Sequence, residues 1–132
     1  MVIVVQAKIL VVDDEPQIRN LLKIALMTEG YELFEAGDGD SALLQARAEL
    51  PDLILLDVIL PDMEGGEIVS QLRASSLTQN IPVVFLTGIL SKSDAENGQL
   101  EIRVGTEKFK VLAKPFDLEQ VQEMVANTLS GF

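Results

Sequence analysis

The run Ile9-Leu10-Val11-Val12-Asp13-Asp14-Glu15-Pro16 decides the fold. Its first four residues are apolar and mostly β-branched, the mark of a strand buried on both faces, as strands of a parallel sheet are. Three acidic residues end the run abruptly, and Pro16 suits the first turn of a helix. The strand is placed at Lys8–Val12. Beyond Pro16, Ile18, Leu21, Leu22, Ala25 and Leu26 fall on one helical face until Gly30 stops it.

The same alternation repeats along the chain. Further strands are predicted at Tyr31–Glu35, Leu53–Leu56, Val83–Leu86 and Val111–Ala113. Helical stretches run from Ser41 to Leu50, from Gly65-Gly66 onward with Ile68, Val69 and Leu72 as an apolar stripe, and after Asp117. Asp117 is the N-cap, and Leu118, Val121, Val125 and Leu129 face inward. Strands alternating with helices specify an α/β fold with a parallel sheet. No linker, repeat or low-complexity tract divides residues 1–132, so a single domain is expected.

Polar residues stand where four of these strands should end: Asp13-Asp14-Glu15, Asp57, Thr87-Gly88 and Lys114-Pro115. Ligands of an open α/β sheet bind outside the carboxyl ends of its strands. Three carboxylates, a hydroxyl and an amine would meet there, which outlines a phosphoryl-transfer site. Singly, each has a plainer reading. Asp13 and Asp14 could cap a helix, Asp57 could be a solvated strand end, Lys114 an exposed lysine, and Thr87 an ordinary strand residue.

One region breaks the rhythm. After Thr87-Gly88, Ser91–Asn97 offers barely two helical turns before Gly98. Glu101–Val104 and Phe109–Leu112 then alternate around Gly105–Lys108, which reads as a β-hairpin replacing part of the fourth helix. A loop with chance alternation is the other reading.

Composition narrows the chemistry. The 132 residues contain no Cys, so neither disulfides nor a thiol nucleophile are available, and no His, so the chain cannot carry a phosphohistidine. Ten Lys and Arg against 21 Asp and Glu give a net charge of −11, which disfavours nucleic acid or an anionic membrane as a direct partner. The apolar start, Met1–Val12, contains Lys8 and lacks a cleavage-type small-residue pair. No later apolar stretch reaches the roughly 18 to 20 residues of a membrane span. A soluble, cytoplasmic protein acting on protein partners is expected.

Together with Asp57-Val58-Ile59-Leu60-Pro61-Asp62-Met63-Glu64-Gly65, Leu86-Thr87-Gly88 and Lys114-Pro115-Phe116, the opening run resembles the receiver domain of two-component response regulators. The resemblance covers nearly the whole chain and is closest to stand-alone, chemotaxis-regulator-like receivers. It implies a doubly wound, flavodoxin-like sheet of five parallel strands in the order 2-1-3-4-5. It also implies that Asp57 is the phosphoacceptor, taking a phosphoryl group from a histidine kinase or phosphotransfer protein to form an aspartyl phosphate. Such a chain is a signalling phosphoprotein rather than an enzyme with an external substrate.

Clustered carboxylates facing an anionic phosphoryl group require a divalent cation, and Mg²⁺ suits oxygen ligands and phosphate. By resemblance its ligands are Asp14, Asp57 and the backbone carbonyl of Ile59, with Asp13 in support. Lys114 would hold one phosphate oxygen and Thr87 would donate a hydrogen bond to another. Pro115 commonly follows a cis peptide in this family. Ile59 and Ile89, two residues after Asp57 and Thr87, would shield the phosphoryl group from water.

The chain also departs from the family. The position three before the lysine, commonly Tyr or Phe, is Val111, and Phe109 is expected on the opposite strand face. Output is therefore expected through an unusual surface, to a downstream protein target, from a monomer or weak homodimer. The chain stops shortly after the last helix with no basic helix-turn-helix, so a stand-alone receiver is expected, a segment of a longer regulator being the alternative. Two other classes fit less well. A haloacid-dehalogenase-type hydrolase would need a second Asp at position 59, and a flavodoxin-like carrier would need a glycine- and hydroxyl-rich loop where Asp13-Asp14-Glu15 stands. A degenerate receiver used only for binding would fail to bind Mg²⁺.

Overall fold

The computed structural model describes residues 6–88 and 101–131. The chain alternates as β1 (Lys8–Val12), α1 (Pro16–Met27), β2 (Glu32–Ala36), α2 (Gly39–Glu49), β3 (Leu53–Asp57), α3 (Gly65–Arg73) and β4 (Val83–Thr87). After residue 100 come β5 (Glu101–Val104), β6 (Glu107–Ala113) and α4 (Leu118–Leu129). The short helix expected over Ser91–Asn97, Gly98 and the shielding residue Ile89 lie outside the described residues.

The strands form one sheet in the order β2-β1-β3-β4-β6-β5. Its first five members are parallel and reproduce the expected doubly wound order, with β6 in the fifth place. β5 adds a sixth, antiparallel strand at the edge. The hairpin is therefore real, and its turn is tighter than the four residues expected. Val104 pairs with Glu107, which leaves only Gly105-Thr106 in the loop. Gly105 takes the first central position with φ +61, a conformation that glycine adopts without steric cost.

Strand parity sorts the core into two layers. Leu10, Val12, Ile54, Leu56, Val83, Phe85, Phe109 and Val111 face α2 and α3. Ile9, Val11, Leu53, Leu55, Val84, Leu86 and Leu112 face α1 and α4. Phe109 thus shares its face with Val111, because two residues along a strand restore the same side. The expectation of opposite faces is corrected accordingly. Phe109 is buried edge-on against Phe85, with ring centroids 5.4 Å apart and planes at 80°, a geometry that contributes about 1 kcal/mol beyond area burial.

Local chemistry fixes the helix ends. Asp117 and Gln120 form a reciprocal capping box on α4, through bonds of 2.8 and 2.9 Å. The N-cap of α1 is Glu15, which makes no side-chain cap bond of its own, but its amide donates to Asp13 Oδ1 at 3.0 Å, so Asp13 satisfies one donor at the start of that helix.

Arg73, at the end of α3, ties the hairpin down. Its guanidinium grips Glu107 at 2.9 and 3.1 Å, donates to the Ile81 carbonyl at 2.8 Å and lies 5.5 Å from the Phe109 ring centroid. Replacing Arg73 by Ala is expected to lower stability by about 1.5 kcal/mol, since it removes the buried-side bond and the ring contact together. Glu107→Gln should cost only about 0.5 kcal/mol, because the ion pair is exposed and screened. Urea unfolding checks the order, and equal losses would locate the anchor in the ion pair alone.

Candidate functional site

The strand register brings four strand ends level. Asp57 closes β3 and pairs with Leu86, Thr87 closes β4 and pairs with Ala113, and Lys114 follows β6 directly, its amide donating to the Thr87 carbonyl at 2.9 Å. Asp13 and Asp14 follow β1. The carboxylates of Asp13, Asp14 and Asp57 offer oxygens all within 4.8 Å of one another. Asp13 is fully buried and Asp57 nearly so, whereas Asp14 is exposed. The peptide before Pro115 is cis, as the resemblance implied.

Lys114 answers this concentration of negative charge. Its ammonium lies 2.6 Å from Asp13 Oδ2, 3.1 Å from Asp57 Oδ2 and 3.9 Å from Glu15. Burial alone would push the Lys114 pKa down, but hydrogen bonds and charge from Asp13 and Asp57 outweigh it and hold the ammonium above its ordinary value. For Asp57 the balance runs the other way. Burial pushes its carboxyl up, the Asp13 charge adds to this, and the Ile59 amide and Lys114 compensate only in part.

The remaining expected residues take distinct places. Thr87 is buried at the end of β4. The Ile59 amide donates to Asp57 Oδ1 at 3.2 Å while its side chain, 53% exposed, stands at the mouth of the site. An apolar, exposed residue two after Asp57 leaves no second acid for hydrolase chemistry. Gly65 closes the following loop: a Cβ there would meet Phe85 at 2.8 Å and the Asp57 carbonyl at 3.0 Å, so only glycine fits without a shift.

Some supports are not legible in the motifs. Arg19 of α1 donates to the Asp13 carbonyl at 2.7 Å and to Glu35 at 3.0 Å, bracing the turn that carries the acidic pair. Lys23 also pairs with Glu35, and both cations hold its carboxyl below the usual range. Arg19 gives no signal beyond its place on the helical face toward β2.

The site offers an all-oxygen donor set for a hard cation. Asp13 Oδ2 is buried, with the Lys114 ammonium 2.6 Å away as its countercharge. A buried carboxylate beside two further carboxylates matches the donor set that Mg²⁺ prefers.

Comparison with known proteins agrees. A family model described as the response regulator receiver domain matches residues 9–126. The chain is 40% identical over 118 residues to PhoP of Bacillus subtilis, an alkaline phosphatase synthesis transcriptional regulatory protein, covering 89% of this chain and 46% of that one. It is also 40% identical over 111 residues to the response regulator PleD of Caulobacter vibrioides, covering 84% of this chain and 23% of that one. The chain thus spans about half, or less, of the length of these relatives. Among solved structures, the chemotaxis response regulator CheY4 of Vibrio cholerae superposes with a TM-score of 0.79 at 33% identity, over 93% of this chain and 98% of that one. The receiver domain of the sensor histidine kinase PA1611 of Pseudomonas aeruginosa, which holds a magnesium ion in its active-site cleft, superposes with a TM-score of 0.80 at 27% identity, over 96% and 99%.

Proposed function

This chain belongs to the response regulator receiver family, and from that premise we propose that Asp57 is its phosphoacceptor, working with Lys114, Thr87 and a Mg²⁺ ion held by Asp14, Asp57 and the Ile59 carbonyl, with Asp13 in support. The observation that carries the assignment is the placement of Asp57: nearly buried at a strand end, within reach of two other carboxylates and of the Lys114 ammonium. A receiver is a signalling domain. The donor we assign is a phosphohistidine on a partner kinase or phosphotransfer protein, and the output is contact with a downstream protein.

The step is an in-line displacement. An Asp57 carboxylate oxygen forms a bond to phosphorus as the bond between phosphorus and the imidazole nitrogen breaks, and the imidazole leaves with that electron pair. Lys114, held charged by its neighbours, then lies beside the oxygen that becomes phosphorylated and balances the added anion. Thr87, level with it at the end of β4, is placed to donate its hydroxyl hydrogen to a second phosphoryl oxygen. A bound Mg²⁺ supplies charge neutralisation between the carboxylates and the incoming phosphoryl oxygens. Ile59 at the mouth limits the approach of water from one side, and this shielding favours a long-lived phosphoryl group.

Asp13, Asp14, Asp57 and Ile59 are expected to show the largest amide shifts on Mg²⁺ titration, reversed by chelation. A response spread over the surface, or none, would exclude this cation site. Among the described residues no helix is long and apolar enough to cross a membrane.

A further inference from the structure

Beyond the four motif positions, a fifth segment is built into the site. The loop from Val58 to Glu64 folds into a small hairpin: Gly65 N donates to Val58 O at 2.7 Å, Ile59 and Glu64 form a bridge, and Leu60 N donates to Met63 O at 3.3 Å. Pro61-Asp62 is its tip. That tip is fastened to α2, an element that takes no part in the chemistry.

The fastening satisfies two of the amides that α2 leaves without a helical partner. Asp62 Oδ1 accepts from Gly39 N at 2.7 Å and Asp62 Oδ2 from Asp40 N at 3.0 Å. Asp38, the N-cap, takes a third, with its carboxylate on Ser41 N at 2.8 Å, while its carbonyl accepts the first helical bond, from Ala42 N at 3.0 Å. Two of these three side-chain caps thus come from a loop more than 20 residues away in sequence. Packing reinforces it, since the Met63 side chain occupies the space above Gly39, where a Cβ would lie 2.2 Å from Met63 Cγ.

We infer that Asp62 is a positioning residue for the phosphoacceptor site, clamping the loop that carries Ile59 to the N-terminus of α2 and so holding the Ile59 backbone against Asp57. The carboxylate suits this task. It satisfies two backbone donors at once and sits at the positive end of the helix dipole. Its own pKa is lowered, first by the Gly39 amide and then by Asp40, so the clamp stays ionised near neutral pH. This inference rests on the assignment of Asp57 and Ile59 made above.

The test compares two variants that uncap the same helix end from different sides. Asp62→Ala removes the clamp, whereas Asp38→Ala removes the local cap and leaves the loop attached. Mg²⁺ affinity is read by amide shifts and local stability by amide hydrogen exchange. Asp62→Ala is expected to weaken Mg²⁺ binding by about tenfold, as loss of an outer support commonly does, and to speed exchange at Gly39, Asp40 and Ile59. Asp38→Ala should speed exchange at Ser41 while leaving Mg²⁺ affinity at the wild-type value. Asp62→Asn, which keeps one acceptor oxygen and fits the same space, should fall between. Wild-type affinity in both Asp62 variants would overturn the inference, as would equal weakening in Asp38→Ala, which would trace the effect to α2 stability alone. Absence of Mg²⁺ binding by the wild-type protein would instead overturn the assignment of the site, and this inference with it.

Discussion

Replacing Asp57 by Asn is expected to make the protein more stable in the absence of divalent cations while ending its chemistry. The folded-state pKa of Asp57 is raised above its ordinary 3.8, chiefly by burial, so the ionised form is the one that the fold disfavours. A group with a raised pKa contributes stability that is present below the unfolded value and lost as pH rises through the folded one. At pH 7 that contribution is gone, and the neutral amide avoids both the burial of charge and the repulsion from Asp13. The gain is about 1 kcal/mol after solvent screening, or roughly 3 °C in melting temperature for a chain of this size. It should shrink as pH falls into the carboxylate range. Saturating Mg²⁺ should narrow or reverse the gap, because only the wild-type site then gains binding free energy. A wild-type protein more stable than the variant in chelator at pH 7 would contradict the balance of charges described here.

Lys114→Met should have the opposite sign. It keeps much of the side-chain volume but strips the buried Asp13 carboxylate of its cation at 2.6 Å and Asp57 of its partner at 3.1 Å. Breaking an ion pair from one side leaves an uncompensated charge, here about 2 kcal/mol because Asp57 is partly solvated. Mg²⁺ should restore more stability to this variant than it adds to the wild type, since the ion becomes the main countercharge in the site. Phosphorylation should slow by about tenfold or more, below the loss seen for fully buried oxyanion donors. Denaturant unfolding with and without Mg²⁺ checks the first effect, and a time course with a small phosphodonor checks the second. An unchanged phosphorylation rate would remove Lys114 from the chemistry.

Much of this was legible in the sequence because two strong signals coincide. Buried parallel strands read as apolar runs, and each functional residue stands at or just after the end of one, so placing the strands also placed Asp13, Asp57, Thr87 and Lys114. The hairpin was legible from its alternation, although Gly105-Thr106 needed only two residues where four were expected. Phe109 lies on the face opposite to the one expected, sharing it with Val111, and its packing against Phe85 follows only from the assembled sheet. Arg19 and Asp62 could not be found from spacing. The partners that tie them to the site are backbone atoms, the Asp13 carbonyl and the Gly39 and Asp40 amides, and backbone atoms leave no mark on residue type. Contacts made through the main chain appear only when two distant segments are brought together.

The altered edge of the sheet follows from the same geometry. With β5 beside β6, Ile102 and Val104 pack against the layer shared by α3 and Phe109, and Arg73 at the end of α3 fastens the hairpin on that same face. Phe85 touches both Gly65, behind Asp57, and Phe109, so this side of the molecule lies in packed contact with the loop that follows Asp57.

In the function proposed above, Asp57 accepts a phosphoryl group with Mg²⁺. Intact mass after incubation with acetyl phosphate tests it most directly, with and without Mg²⁺, in wild type and Asp57→Asn. A single phosphoryl adduct that requires Mg²⁺ and is absent from the variant is the expected result. An adduct that persists in Asp57→Asn, or a wild-type protein that gains no mass with Mg²⁺ present, would contradict it.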